Sequence, residues 1–492
     1  MDKYYITTSI AYTNAPPHCG FALELIQADV LARYNRLLGK EVFFLTGTDE
    51  HGKKNLEAAQ KAGKSPQEFV DLISAEFKRL AKVYNISIDN FIRTSDQKKH
   101  WPSVFKVWNK LFENGDLYRK KYKGLYCVGH EAFIKKSELV DGLCPLHLTK
   151  PDEIEEENWF FRLTKYKKEL KRKLENDDIH IVPEYKLNEL LPILDELEDI
   201  SFSRPKKDIS WGIPVPNDDS SYLYIWPEAL TNYISAIGYA DETDQFKKFW
   251  PADVHLIGKD ILRFHAIYWP AMLLSLGLPL PKNIFVHGFI TSEGQKMSKT
   301  IGNIVDPFKI AEKYGIDPVR YYLLREIPSD EDGNFSVEKL EARYNGDLAN
   351  NLGNLVSRLA KLIETKLDGE LILESRLLEN DVVEKIKQVT DDYHRAINNF
   401  KLHEAVTRVW ELLTFANGYI DEHKPWIKDI EPDHLLKTLT NSLELLISAN
   451  RLLEPFLPET SEKILKIFGR TKDSKDSKFI VEKTEPLFPR LK

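Results

Sequence analysis

The apolar run Tyr4-Tyr5-Ile6-Thr7-Thr8, a polar turn from Tyr12 to Phe21, and apolar residues at Leu23, Ile26, Ala28, Val30, Leu31 and Tyr34 predict a strand, a turn and a helix. Leu38-Gly39 then supplies the glycine that suits a helix C-cap. Val42-Phe43-Phe44-Leu45-Thr46 is a short continuous apolar run, as expected of a parallel strand covered on both faces. Ser65-Pro66 opens a helix, with serine as N-cap and proline at the first helical position, whose apolar face is Phe69, Val70, Ile73, Phe77, Leu80 and Tyr84. Asn90-Phe91-Ile92-Arg93 predicts another strand, and Val104, Val107, Trp108, Leu111 and Phe112 a helix that stops at Gly115. This β-α-β alternation predicts an α/β fold with a doubly wound, Rossmann-like parallel sheet, its first half in residues 1–115.

The alternation changes near Asp116. An acidic run after Pro151, a strand at Trp159-Phe160-Phe161 and two helical segments predict an inserted domain over residues 116–220. Tyr222-Leu223-Tyr224-Ile225-Trp226 reads as sheet again, followed by a helix through Tyr233 and Ile237, a strand at Val254 to Gly258 and a last strand at Asn283 to His287. The first fold is thus expected to resume over residues 221–290. From Asn350 onward strands vanish from the pattern. Ala405, Val409, Leu412, Leu413, Ala416 and Ile420 mark one amphipathic helix, and Leu439, Leu443, Leu446, Ile447 and Leu453 another, which predicts an antiparallel helical bundle over residues 350–492. Thr471 to Lys478, reading TKDSKDSK, is expected to be a polar loop.

A chain of 492 residues, 42% hydrophobic, is long enough for several cores and too apolar to be disordered. No apolar run reaches the roughly 18 residues of a membrane span, and Met1-Asp2-Lys3 leads into a strand without a signal-peptide pattern. Only Cys19, Cys127 and Cys144 occur, an odd and sparse set that argues against a disulfide framework. A cytoplasmic protein is expected. The formal net charge of −7 excludes a global basic field, so any nucleic-acid contact must use local Lys and Arg.

Several polar sites interrupt the apolar pattern where chemistry could occur. In the first turn, Pro16-Pro17-His18-Cys19-Gly20 places a histidine and a close-approach glycine at a helix N-terminus, which suits an anion; a plain helix cap fits equally well. Gly47-Thr48-Asp49-Glu50-His51-Gly52 follows a strand, so Asp49 could meet a substrate ammonium or serve as an N-cap. Cys127-Val128-Gly129-His130 and Cys144-Pro145-Leu146-His147 repeat one Cys-x-x-His spacing, which suits tetrahedral zinc. His265 could be core or pocket. Lys296-Met297-Ser298-Lys299-Thr300 sets two lysines in a loop beyond the last strand, where fixed charge could meet a phosphate in transfer.

The turn His18-x-Gly20, the loop Lys296-Met297-Ser298-Lys299-Thr300 and the terminal bundle together resemble the class I aminoacyl-tRNA synthetases. Gly47 to Gly52, the two knuckles, Trp211-Gly212-Ile213-Pro214, Gly258-Lys259-Asp260-Ile261 and Asp421-Glu422-His423-Lys424-Pro425-Trp426 narrow the resemblance to the methionyl-tRNA synthetases, and they span almost the whole chain. The resemblance implies activation of methionine with ATP and Mg²⁺ to methionyl-adenylate, and transfer of the methionyl group to the terminal ribose of tRNA. It implies that His18, Lys296 and Lys299 are catalytic, and that His18, Gly20, Gly258, Asp260, Lys296, Met297, Ser298 and Lys299 bind ATP. It assigns the methionine pocket to Ser9, Ile10, Tyr12, Asp49, Trp226, Ala229, Leu230, Tyr233, Ile261 and His265, and the anticodon to Asn354, Arg358 and Trp426. Cys127, His130, Cys144 and His147 would hold a structural zinc, and residues 291–349 would carry the lysine loop and face the tRNA stem. The family's first motif commonly ends in a second histidine, where this chain has Phe21. Since longer relatives dimerise through a C-terminal extension and this chain stops at Lys492, a monomer is expected.

Overall fold

A computed structural model of the chain describes residues 2–128, 132–145, 148–292, 295–296, 305–470, 477–481 and 485–491. It divides into two compact units, one of Met1–Pro17, Asn35–Lys82 and Ser87–His287, the other of His18–Tyr34, Val83–Ile86 and Gly288–Lys492.

The first unit is built on a six-stranded parallel sheet. Its strands are β1 (Lys3–Tyr12), β2 (Glu41–Asp49), β3 (Asn90–Arg93), β4 (His180–Val182), β5 (Val254–Gly258) and β6 (Asn283–His287), in the order β3-β2-β1-β5-β6-β4. The chain winds outward from β1 on one side and returns to its other side, so the order reverses between β1 and β5. Beside β5, β1 pairs only through Ile6↔Val254, Thr7↔His255 and Thr8↔Leu256, whereas beside β2 it continues to Tyr12↔Asp49. Past Thr8 the two central strands therefore part, which opens a crevice at their carboxyl ends, the place where open α/β sheets bind ligands. Tyr5, Leu45, Ile257 and Val286 from the sheet join Trp108, Tyr233 and Trp269 in one apolar core.

Two expectations for this unit change. The segment His180–Val182, inside the predicted insertion, is the edge strand of the parallel sheet and pairs with β6 through Asn283↔His180. A strand of three residues is too short to show a period of its own. The aromatic stretch 222–226 also divides: its strand, Asp218–Leu223, belongs to a separate three-stranded sheet, and Ile225–Leu230 is helical. Pro227 in the first turn of that helix was the local signal, because its missing N–H costs nothing there. The rest of the insertion combines a four-stranded antiparallel sheet around Leu117–Cys127 and Asp152–Phe161 with the helices Lys167–Glu175 and Tyr185–Asp195.

The second unit carries the bundle. Its helices include Asn354–Lys366, Asn380–Asn398, Leu402–His423 and Pro432–Leu453, and the apolar residues that predicted the third and fourth of these are all buried. Residues 18–34, most of the helix Cys19–Leu37, belong to this unit for a specific reason. Asp29 lies 2.8 Å from Arg320 with both side chains fully buried. Arg320 also donates to the carbonyls of Tyr84 at 3.0 Å, Pro455 at 3.1 Å and Phe456 at 2.9 Å, so its buried charge is both paired and hydrogen-bonded. Strands do not vanish after Asn350: Glu370–Leu373, Phe468–Arg470 and Ser477–Val481 form a three-stranded antiparallel sheet. Ser477 and Lys478, expected in the polar loop, open its last strand, while residues 471–476 lie outside the described residues. Among the described residues no helix is long and apolar enough to cross a membrane.

Candidate active site

The crevice past Thr8 gathers the predicted amino-acid pocket. Ser9, Ile10 and Tyr12 occupy the end of β1, and Asp49 is the direct cross-strand neighbour of Tyr12. The Asp49 carbonyl accepts from Thr13 N at 3.1 Å and from Asn55 Nδ2 at 3.2 Å, so the backbone bearing its carboxylate is fixed. Tyr12 and Trp226 pack on the same small cluster of Tyr224 and Ile225, and the Trp226 ring stacks on Phe264 with centroids 3.5 Å apart. Ile10, Trp226 and Ile261 are partly buried against the main core, in which Leu230 and Tyr233 are buried; Ala229 is buried as well.

Beneath them lies a chain of polar groups with a defined proton arrangement. His265 Nδ1 is 3.0 Å from the Ile261 carbonyl, which can only accept, so Nδ1 carries the proton. Nε2 is then an acceptor, and the Tyr233 hydroxyl donates to it at 2.7 Å. Burial pushes the His265 imidazole down to about 4, against the opposing pull of the Ile261 carbonyl, so the ring is neutral at physiological pH. The neighbouring His255, bonded to Thr7 Oγ1 at 2.7 Å and with its ring tilted against that of Tyr233 at 4.2 Å, is also held well below its ordinary value by burial, with His265 adding to the effect. His265 is thus a core residue, bonded to Tyr233 and Ile261 of the predicted pocket.

At the end of β5, Gly258 has no room to spare: a Cβ there would stand 3.0 Å from the Asp260 carboxylate. Bare backbone beside an exposed carboxylate suits the hydroxyls of a ribose. In the second unit, His18 is exposed and its Nδ1 accepts from Gly20 N at 3.0 Å, so here it caps the helix Cys19–Leu37. A Cβ on Gly20 would meet the imidazole at 2.9 Å and push the ring off its cap. With Nδ1 accepting, a neutral ring keeps its proton on Nε2 as a donor. Phe21 is buried, and its side chain carries no hydrogen-bonding group; its backbone N–H donates to the His18 carbonyl at 3.1 Å. Lys296 lies on the short strand Gln295–Lys296, while Met297, Ser298 and Lys299 lie outside the described residues.

Cys127 and Cys144 are fully buried in one small cluster with Ile134, and neither is in a disulfide. Two buried thiols drawn into one cluster, one at the end of the strand Leu117–Cys127 and one beyond it, suit two of the four positions of a zinc site. His130 and His147 lie outside the described residues. On the bundle, Asn354 is exposed one turn before Arg358, whose guanidinium sits 4.5 Å over the Trp426 ring and pairs with Asp421 at 2.6 Å. Trp426 keeps 45% of its surface exposed.

Sequence reasoning missed the groups that brace the pocket. Glu50, fully buried, takes both Arg93 Nε at 2.7 Å and Arg93 Nη2 at 3.0 Å. His51 Nδ1 lies 2.6 Å from Glu228 Oε1, with both side chains buried. Adjacency of Asp49, Glu50 and His51 drew attention to that loop, but no local pattern names a partner 177 positions away.

Comparison with known proteins agrees with this geometry. The family model for class I tRNA synthetases (M) matches residues 4–153 and 137–360, and that for the anticodon-binding domain of tRNA ligases matches residues 379–489. A methionine–tRNA ligase from Thermotoga maritima is 45% identical over 473 residues, 94% of this chain and 75% of that protein. One from Brucella melitensis is 40% identical over 507 residues, 99% of this chain and 98% of that protein. The Mycobacterium tuberculosis methionyl-tRNA synthetase solved in complex with methionyl-adenylate superimposes with a TM-score of 0.94 at 38% identity, covering 100% of both chains. Sheet, crevice, bundle and sequence agree, and the chain belongs to the methionyl-tRNA synthetase family of class I tRNA synthetases.

Proposed function

We propose that the chain activates L-methionine with ATP to methionyl-adenylate, releasing pyrophosphate, and transfers the methionyl group to the 3′-terminal ribose of tRNA(Met), releasing AMP. The observation that carries this reading is the neutral Tyr233–His265–Ile261 chain beside Trp226, in the crevice where β1 leaves β5. A thioether is recognised by polarizable aromatic packing and a few weakly polar contacts, which uncharged Tyr233 and His265 supply without a competing charge. Asp49 takes the ammonium, and Ser9, Ile10, Tyr12, Trp226, Ala229, Leu230 and Ile261 enclose the rest of methionine.

Gly258 and Asp260 hold the adenosine ribose. In the first step a methionine carboxylate oxygen attacks the α-phosphorus and the bond to pyrophosphate breaks. Charge grows on the phosphoryl oxygens, and the Nε2–H of His18, the backbone opened by Gly20, and the loop Lys296, Met297, Ser298 and Lys299 meet it, with Mg²⁺ accompanying the ATP phosphates. Because the Phe21 side chain has no donor to offer, more of this stabilisation falls on His18 and the lysines. In the second step the ribose hydroxyl attacks the activated carbonyl carbon and AMP leaves.

Asn354, Arg358 and Trp426 read unstacked anticodon bases by hydrogen bonding and stacking. Cys127, His130, Cys144 and His147 would hold a structural zinc that would brace the insertion, 116–220; the catalytic halves are 1–115 and 221–290, residues 291–349 carry the lysine loop, and 350–492 the tRNA-reading bundle. Metal analysis of the purified protein is expected to give about one zinc per chain. A cytoplasmic monomer is the proposed working state, which light scattering checks. Methionine-dependent ATP–pyrophosphate exchange tests the activity itself, and no exchange at saturating substrates would leave only a tRNA-binding protein.

A further inference from the structure

We infer that His51 and Glu228 are positioning residues for methionine, a buried tie that holds the ammonium end of the pocket in register with its thioether end. The inference rests on the pocket reading above. His51 stands two residues after Asp49, and Glu228 lies in the helix Ile225–Leu230, between Trp226 on one side and Ala229 and Leu230 on the other. Their side chains meet at 2.6 Å while each is only 1% exposed. One short contact therefore links two segments that are far apart in sequence and carry opposite ends of the same proposed pocket.

The loop bearing His51 is clamped from other directions, which lets the tie transmit position rather than absorb it. Trp211 Nε1 donates to the Glu50 carbonyl at 2.7 Å, and its ring lies 5.0 Å from the His51 ring. Asn55 Nδ2 donates to the carbonyls of both Asp49, at 3.2 Å, and His51, at 3.0 Å. Residues 49–51 thus move as one body, and the point at which that body meets the pocket helix is Glu228. Behind the helix, Asn232 Nδ2 holds the Ala229 carbonyl at 2.6 Å, so a shift at Glu228 is passed on to the residues lining the pocket. Without the carboxylate, His51 Nδ1 would be left buried without its partner, and the two segments would relax apart.

A pair that merely stabilised the core would lower the melting temperature and spare substrate selectivity. A positioning pair acts on one substrate, because displacement on the order of 1 Å suffices to weaken a fitted site. Exchange kinetics with methionine and ATP varied separately distinguish the two. Glu228→Leu is expected to raise KM for methionine by about tenfold or more while KM for ATP stays within about twofold, and Glu228→Gln, which still presents an acceptor to His51, is expected to recover most of the loss. Equal effects on both substrates, or none on methionine, would overturn the inference. Should Glu228→Leu fail to fold, His51→Gln measured in the same way decides, with the same expected split. Asp49→Asn run in parallel separates the two layers. If it leaves methionine binding unchanged, the pocket reading itself fails; if it weakens methionine while the Glu228 and His51 variants do not, only the tie fails.

Discussion

The proposed methionine pocket in the first unit and the proposed anticodon corner at Trp426 are built in opposite ways. At the pocket, His265, Tyr233, His51 and Glu228 are all buried and bonded to one another or to backbone before any ligand arrives. At the corner, Trp426 is half exposed, and its partner Arg358 is held by Asp421, whose side chain is 65% exposed. A small apolar amino acid offers few handles, so its site must be fixed in advance. An unstacked base offers a wide π face and edge hydrogen bonds, so a guanidinium lying on a half-exposed ring is enough.

If the two regions are separate devices, damage to one should be invisible in the assay of the other. The largest effect is expected from Lys299→Ala in the catalytic part. Removing one preorganised group that meets transition-state charge typically costs about 10²–10³ in rate, so single-turnover adenylate formation should fall by that factor with methionine affinity little changed. Equal losses in rate and affinity would contradict a transition-state role.

Acid should weaken the fold through its buried histidines. In the first unit burial holds His100 down to about 3 and His265 down to about 4, and His255 lies well below its ordinary value. Each is neutral when folded but takes up a proton near pH 6.5 once unfolded. Their contribution is complete above about pH 6.5 and is lost as pH falls from there toward the folded values, on the order of 3 kcal/mol for His265 alone. The melting temperature should therefore drop steadily from pH 7 to pH 5, and His265→Gln should flatten that slope. A melting temperature independent of pH over this range would mean these rings are not held neutral. On the bundle side, Trp426→Ala should lower tRNA charging by roughly 10- to 100-fold, the loss of about one stacked base, with exchange activity unchanged. Unaltered charging would reduce Trp426 to packing.

Local pattern made some of this molecule legible and left other parts dark, for reasons of range. The helix Leu402–His423 could be read from Ala405, Val409, Leu412, Leu413, Ala416 and Ile420, because helical burial repeats within a few residues. The edge strand His180–Val182 and the pairing of Glu370–Leu373 with Ser477–Val481 could not, because short strands owe their existence to distant partners. The pocket divides in the same way. Asp49 and His265 are candidates by their position in the pattern, and the other proposed pocket residues come from resemblance to a family. What braces them, His51 against Glu228 and Glu50 against Arg93, depends on contacts that only the folded chain creates.

The finest test of the contrast is Tyr233→Phe, which removes one oxygen from the pocket and nothing from the bundle. The ring keeps its place against His255, 4.2 Å away, and the Tyr233 carbonyl still accepts from Tyr5 at 2.7 Å, so the fold has little reason to change. What is lost is the donor to His265 Nε2. Since Nδ1 remains committed to the Ile261 carbonyl, the imidazole cannot recover by exchanging tautomers without losing that bond instead. An unmet acceptor beside the proposed thioether should weaken methionine by roughly two- to tenfold, the usual worth of one neutral hydrogen bond. ATP affinity and anticodon reading should be untouched. A change in charging larger than the change in methionine KM would mean that the pocket and the bundle are coupled, and the contrast between a fixed site and an adaptable one would have to give way to a single shared mechanism.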